Sequence, residues 1–474
     1  MNFTAELPDI SLLDQPAVFL VGIKGVGMTA LALMLQEAGV VVSGADVEEV
    51  FVTDSLLQAA GIPVVSLTEG QVPDEATVVV YSGAHRGWQN PLVQQALQAE
   101  KQVVHLAGAV GLLSREQKTV GVCGVGGKST TSALLSWILS QNNAPLSYAV
   151  GVGSIPNLGK SGHWDSAAEY FVVEADEYVA DPIADKTPRF LFLEPHILIC
   201  TSLSYDHPDV YEDFSDTQKA FRLLFEKLPA DGLLVYNGDN ADLRDLIATA
   251  KIQAPTVSVG EQPENDVQLS DWQVEDGIGS VLLGARKLET RVPGRHNLLN
   301  AAYAAVVAEH VGREWSEIVQ AVREFSSTQR RFESKGTTVA GALCYDDYAH
   351  HPREIQAIVR GLKEWFPEKR ITIAFQPHTF SRTKALRNEF VDALAGGADE
   401  VVLAPIFASA REAFDPSITS DDIVHDLQAR GQQARLLSPD DEMLQCIQAL
   451  GPDDVFITLG AGDIYKVYDH VELH

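Results

Sequence analysis

Short β-branched and aliphatic runs alternate along the chain with stretches whose apolar residues recur every three to four positions. The run VFLVGI from Val18 predicts a buried strand, GMTALALMLQEAG from Gly27 a helix, and VVVSGAD from Val40 a second strand. ATVVVYSGA, LVQQALQAE and QVVHLAGA repeat the cycle between Ala76 and Ala109. It restarts at KTVGVCGVGG, continues through TSALLSWILSQ, YFVVEAD and HILICTSLS, and starts a third time near Glu333, with RITIAFQP, EVVLAPIF and DVFITLGAG as strands. Strand and helix in alternation predict parallel sheets covered on both faces. Between Ala254 and Gly294 the period changes, and TVSVG and GSVLLG, set among Gly, Pro and Asp, predict a small antiparallel patch. The polar stretches SREQK at 114–118 and FSSTQRR at 325–331 mark candidate boundaries. The expected fold is therefore α/β in three domains: a Rossmann-like domain over 1–112, a phosphate-loop α/β domain over 113–325 that holds the patch, and a second Rossmann-like domain over 326–474.

Composition narrows the classes. A chain of 474 residues with 46% hydrophobic and 21% charged positions has the makeup of an ordinary globular protein. Its net charge of −30 argues against nonspecific binding to nucleic acid or to an anionic membrane surface. Cys123, Cys200, Cys344 and Cys446 lie far apart and form no CxxC pair, so reduced, buried thiols are expected. With no basic segment leading into an apolar core at the start and no long apolar run, the expected location is the cytoplasm, without membrane insertion.

Two glycine loops carry the candidate chemistry. In Gly22-Ile-Lys-Gly25-Val-Gly27-Met-Thr-Ala30, between a strand and a helix, Gly25 and Gly27 fit a dinucleotide fingerprint, and Asp46 ends the next strand. Glycines there let a pyrophosphate approach the helix N-terminus, and an acidic residue takes ribose hydroxyls. A tight turn without ligand satisfies the same pattern. The second loop, Gly124-Val-Gly-Gly127-Lys128-Ser129-Thr130, has the phosphate-loop order: amides cradle phosphates, the lysine neutralises them and a hydroxyl meets magnesium. Val122 stands where the strict pattern has glycine. Magnesium needs hard oxygen ligands. Glu174, Asp176 and Glu177 follow one strand, and Asp206 and His207 follow the next, at the carboxyl ends where ligand loops converge. Taken alone, the first group also reads as a solvated helix start and the second as a turn.

The succession GxxGxGM, GxxGKST, EADEY, a DH turn, GRHNLLNA, RRFE, DDYAHHP and QPHTFSRT resembles the Mur ligases of peptidoglycan synthesis, from about Val18 to Lys466. The resemblance implies ATP and Mg2+ as cofactors and small-molecule substrates. It also implies a ligase that activates the carboxylate of UDP-N-acetylmuramate as an acyl phosphate and joins it to L-alanine. Gly25, Gly27 and Asp46 would then face the UDP portion. Gly124, Gly127, Lys128, Ser129 and Thr130 would hold ATP phosphates, and Ser129, Glu174 and His207 the metal. His296, Asn297 and Asn300 would lie on the adenine and ribose side, with Arg331 and Asp347 as further nucleotide contacts. Tyr348, His350, His378 and Arg382 would line the amino-acid pocket, and His207 or His350 would take the proton from the amine.

Some positions depart from the family. Val125 and Gly126 replace a Thr-His pair in the phosphate loop, which raises a catalytically impaired nucleotide-sugar-binding protein as an alternative. ADPIADKTPRFLFLEPH after Glu177 resembles instead the branch that attaches the recycled tripeptide L-alanyl-γ-D-glutamyl-meso-diaminopimelate. Lys219 lies near a position that is carbamylated in relatives, or is an ordinary surface lysine. A nicotinamide dehydrogenase would leave DDYAHHP, GRHNLLN and QPHTFSRT unexplained.

Overall fold

The computed structural model describes residues 3, 5–205, 207, 210–275, 277–408, 412, 414–438 and 441–474. The chain forms two compact units. One comprises Met1–Asp271, Leu282–Leu288 and Leu299–Phe325, the other Trp272–Val281, Glu289–Leu298 and Ser326–His474.

The first unit opens with a five-stranded parallel sheet: β1 (Ala17–Val21), β2 (Val41–Asp46), β3 (Val64–Ser66), β4 (Val78–Tyr81) and β5 (Gln102–His105), in the order β3-β2-β1-β4-β5. Every residue of β1 and β4 is buried, as continuous apolar runs covered on both faces require. Strand order reverses at β1, so the loops that follow β1 and β4 flank a crevice. The helix Val26–Glu37 has no polar face: Met28 to Leu35 are all buried. It is enclosed on two sides, and a Cβ on Gly162 would lie 2.2 Å from the Ala30 carbonyl oxygen.

The next sheet contains β6 (Lys118–Cys123), β7 (Ser147–Ala149), β8 (Gly162–His163) and β9 (Tyr170–Glu174). A separate hairpin, β10 (Val179–Asp181) with β11 (Asp185–Pro188), interrupts it. The sheet continues with β12 (Pro195–Cys200), β13 (Leu233–Asn237), β14 (Thr256–Gly260), β15 (Val267–Glu275), β16 (Ile278–Leu283) and β17 (Arg286–Thr290). Its order is β17-β16-β15-β14-β13-β12-β6-β9-β7-β8. The strand TVSVG, expected in the antiparallel patch, pairs in parallel with β13, because its partner arrives through the helix Ala241–Thr249. The reversal of direction starts one strand later, in the meander β15–β17. The four cysteines are free and buried, as expected.

The second unit carries β18 (Glu333–Thr337), β19 (Leu343–Asp347), β20 (Arg370–Phe375), β21 (Glu400–Leu403), β22 (Ala434–Leu436) and β23 (Asp454–Leu459). They are ordered β18-β19-β23-β20-β21-β22, with only the β18–β19 pair antiparallel. No helix among the described residues is long and apolar enough to cross a membrane.

Candidate functional site

The loop after β1 turns at Gly22, whose φ is +86°. A Cβ there would fall 2.7 Å from Ser82 Oγ, so the steric demand for glycine is sharpest at this position. Gly25 caps the helix and Gly27 packs toward Leu106, where a Cβ would sit 3.2 Å away. Asp46 is buried and works on the loop itself. Its Oδ2 accepts the Lys24 amide at 2.7 Å, its Oδ1 accepts the Val47 amide at 2.8 Å, and His85 Nε2 lies 3.3 Å from Oδ1. Burial pushes the carboxyl up, but His85 and the two amides outweigh it and hold Asp46 below its ordinary range.

The phosphate loop leaves β6 at Gly124 (φ +122°) and enters the helix Lys128–Leu139 through Gly127 (φ +83°). A Cβ on Gly124 would come within 2.3 Å of Thr201 Oγ1, and one on Gly127 within 2.6 Å of Asn300 Oδ1. Asn300 therefore lies directly against the loop. Gly126 faces open space, so nothing in the fold demands glycine there. Val122 is a buried strand residue paired with Glu174 and Ile199, so the loop starts at Gly124. That is why the strict glycine is missing. Ser129 and Thr130 are buried in the first helical turn.

Lys128 donates to the Gly124 carbonyl at 2.9 Å and to both Glu177 oxygens at 2.9 and 2.7 Å. Burial disfavours its charge, but Glu177 and Asp176 prevail and hold the ammonium above its ordinary pKa. His207 Nε2 lies 3.4 Å from Glu177 Oε1, and the Tyr211 hydroxyl donates to the Glu177 carbonyl at 2.6 Å. Asp176 pairs with Arg189 at 2.8 Å. Glu174 ends β9 and accepts the Gly151 amide at 2.7 Å. The carboxylate that joins Lys128 to His207 is thus Glu177, which spacing in EADEY did not single out. Asp206 lies outside the described residues. Lys219 sits on the exposed face of the helix Phe214–Phe225.

In the second unit, His296 folds over Gly294 (φ +102°), where a Cβ would lie 2.4 Å from the ring, and burial lowers its pKa to about 4. Asn297 donates to the Pro293 carbonyl at 2.7 Å. At the end of β19, Asp347 accepts the Phe332 and Ala349 amides, each at 2.7 Å, and burial raises it to about 6. The Arg331 guanidinium lies 5.3 Å from the Tyr348 ring, whose centroid is 5.2 Å from His350. His350 Nδ1 donates to the Tyr348 carbonyl at 3.0 Å, which leaves Nε2 as its lone-pair nitrogen. His378 stacks on Phe407, and Arg382 donates to the His378 carbonyl at 3.3 Å. Burial, with His350 and Arg382 adding to it, lowers His378 to about 4. The structure therefore gathers Arg331, Asp347, Tyr348, His350, His378 and Arg382 around the carboxyl ends of β19 and β20.

Three family models match in order: Mur ligase family, catalytic domain, over residues 18–118; Mur ligase middle domain over 122–308; and Mur ligase, glutamate ligase domain, over 330–462. The chain belongs to the Mur ligase family. This Mur ligase is 34% identical over 457 residues to the UDP-N-acetylmuramate–L-alanine ligase of Desulfitobacterium hafniense, covering 95% of the chain and 98% of that relative. Its fold is similar to the crystal structure of UDP-N-acetylmuramate–alanine ligase from Thermotoga maritima, with a TM-score of 0.79 and 25% identity over 96% of this chain and 97% of the other. A murein peptide ligase from Psychrobacter arcticus shares the fold at a TM-score of 0.65 and 20% identity, over 96% and 97% of the two chains. Mur ligases are ATP-dependent.

Proposed function

We propose that this Mur ligase joins L-alanine to the carboxylate of UDP-N-acetylmuramate at the expense of ATP, in the cytoplasm, as a step of peptidoglycan precursor synthesis. The observation that carries the ATP half is the partly buried Lys128 ammonium at the phosphate loop, held by the buried Glu177 until phosphate oxygens compete for it. Supporting L-alanine as acceptor are the relatives of that name, 32–34% identical over about 95% of the chain, and the higher TM-score with the alanine ligase structure, 0.79 against 0.65 for the murein peptide ligase. We assign UDP-sugar to residues 1–112, ATP to 113–325 and the amino acid to 326–474.

The chemistry follows from the residues. A carboxylate has no good leaving group. Its oxygen attacks the γ-phosphorus, the bond to the β–γ bridge oxygen breaks, ADP leaves and an acyl phosphate results. Amides of residues 124–130 and the Lys128 ammonium hold the phosphates in line and offset their charge. Magnesium would be held beside them by Ser129, Glu174 and His207, a hydroxyl, a carboxylate and an imidazole, with most of its ligands taken from phosphate and water. When bound, it neutralises charge developing on the transferred group. Arg382 fixes the L-alanine carboxylate. His350, neutral and with Nε2 as its acceptor, takes the proton from the attacking amine. The tetrahedral adduct then expels phosphate and leaves the amide. Hydroxylamine tests this order: protein with ATP and UDP-N-acetylmuramate but no amino acid should yield a hydroxamate, and none forms if no acyl phosphate is made.

A further inference from the structure

The hairpin β10–β11 begins two residues after Glu177 and reaches the loop that follows β4. Asp181, fully buried, accepts the Trp88 amide at 2.7 Å on Oδ2, and the Ile183 and Ala184 amides at 2.7 and 3.1 Å on Oδ1. Two glycines make the approach possible. A Cβ on Gly87 would lie 2.3 Å from Asp181 Oδ2, and one on Gly83 would lie 2.9 Å from Pro182 Cδ. Farther along the hairpin, Asp185 Oδ2 stands 3.6 Å from His105 Nε2 at the end of β5. His105 Nδ1 accepts the Gly108 amide at 2.8 Å, so Nε2 carries the proton that faces Asp185.

The same loop touches the sugar-nucleotide crevice on its other side. Ser82 and His85 pack on Gly22, His85 lies on Asp46, and Asp46 holds the Lys24 amide of the glycine turn. From Lys128 a path therefore runs by the ion pair to Glu177, along the chain to Asp181, and by contacts to residues 82–88 and the turn at Gly22.

We infer that Asp181 is a positioning residue for the sugar nucleotide: through Trp88 and Gly87 it fixes the loop after β4, and so holds the UDP-sugar crevice in register with the phosphate loop. The inference rests on the ligase reading above. A charged acceptor on a backbone amide is among the stronger hydrogen bonds, and losing it releases the loop. Asp181→Asn keeps one carbonyl oxygen for three amides, so it should raise KM for UDP-N-acetylmuramate about tenfold with KM for ATP unchanged. Gly87→Ala should raise the same constant by pushing the carboxylate away. The double variant Asp181→Ala/Gly87→Ala should lose less than the two single changes together, because the clash partner is gone and only the strain of a side chain at φ +50° remains. A purely architectural Asp181 would lower the folded fraction and kcat while leaving both Michaelis constants alone. That pattern, or a wild-type KM in Asp181→Asn, overturns the inference and leaves the ligase standing. Absence of turnover in the wild-type protein overturns the ligase reading and the inference with it.

Discussion

Among single residues, the ion pair of the partly buried Lys128 with the buried Glu177 is central. With Lys128 proposed to neutralise the transferring phosphoryl group, Lys128→Ala should lower kcat by about 10³-fold and leave UDP-N-acetylmuramate binding intact. Calorimetric binding of the sugar nucleotide and steady-state phosphate release separate the two. Glu177→Gln strands the lysine, and breaking a buried pair costs about 3–5 kcal/mol. ATP restores a counter-charge, so the rise in melting temperature on adding ATP should be larger in Glu177→Gln than in the wild type. Equal rises would show that Glu177 does not neutralise Lys128. The two histidines lowered to about 4, His296 and His378, give a pH signature. Their native pKa lies below the unfolded value near 6.5, so the unfolded chain binds the extra proton. Each contribution is whole above pH 6.5 and is lost as pH falls toward 4, at up to about 1.4 kcal/mol per unit. Urea unfolding at pH 7 and pH 5 measures the loss, which His378→Asn should reduce.

At the scale of elements, glycines separate what the fold requires from what it tolerates. Gly124 has a φ of +122° and no room beside Thr201, so Gly124→Ala should distort the phosphate loop and weaken ATP binding at least tenfold. Gly126→Ala meets nothing within 4 Å and should bind ATP as the wild type does. Both follow from equilibrium titration with nucleotide. The strands around these loops were legible because burial on both faces writes an apolar run, as in VFLVGI, TVGVC and RITIAF. The hairpin β10–β11 was not legible: ADPIADKTP has no period, and its partner Trp88 lies 93 residues from Asp181. Glu177 was obscured for a related reason. Three carboxylates within EADE differ in which way each side chain turns, and spacing does not carry that information. The reading of TVSVG missed for want of its pairing partner, since a short strand beside glycine and proline looks the same in a parallel pair or a meander.

At the scale of the whole molecule, the labour divides along the chain. The residues proposed for phosphoryl transfer, Lys128 and Glu174 among them, lie in the first unit, and Arg382, His350 and His378, proposed for the amino acid, lie in the second. Arg382→Ala should therefore raise KM for L-alanine at least tenfold, the cost of one charge-assisted bond. Hydroxamate trapping in its absence should stay unchanged. Parallel loss of trapping would mean that Arg382 serves the first step. The proposed acceptor is L-alanine. Phosphate release by the purified protein with ATP, magnesium and UDP-N-acetylmuramate, compared across L-alanine, L-serine, glycine and L-alanyl-γ-D-glutamyl-meso-diaminopimelate, tests it most directly. A pocket closed around a methyl group excludes bulk and separates glycine by only about 1 kcal/mol. L-alanine should give the highest kcat/KM, L-serine and glycine lower values, and the tripeptide little release; a higher kcat/KM with the tripeptide than with L-alanine would make the tripeptide the acceptor.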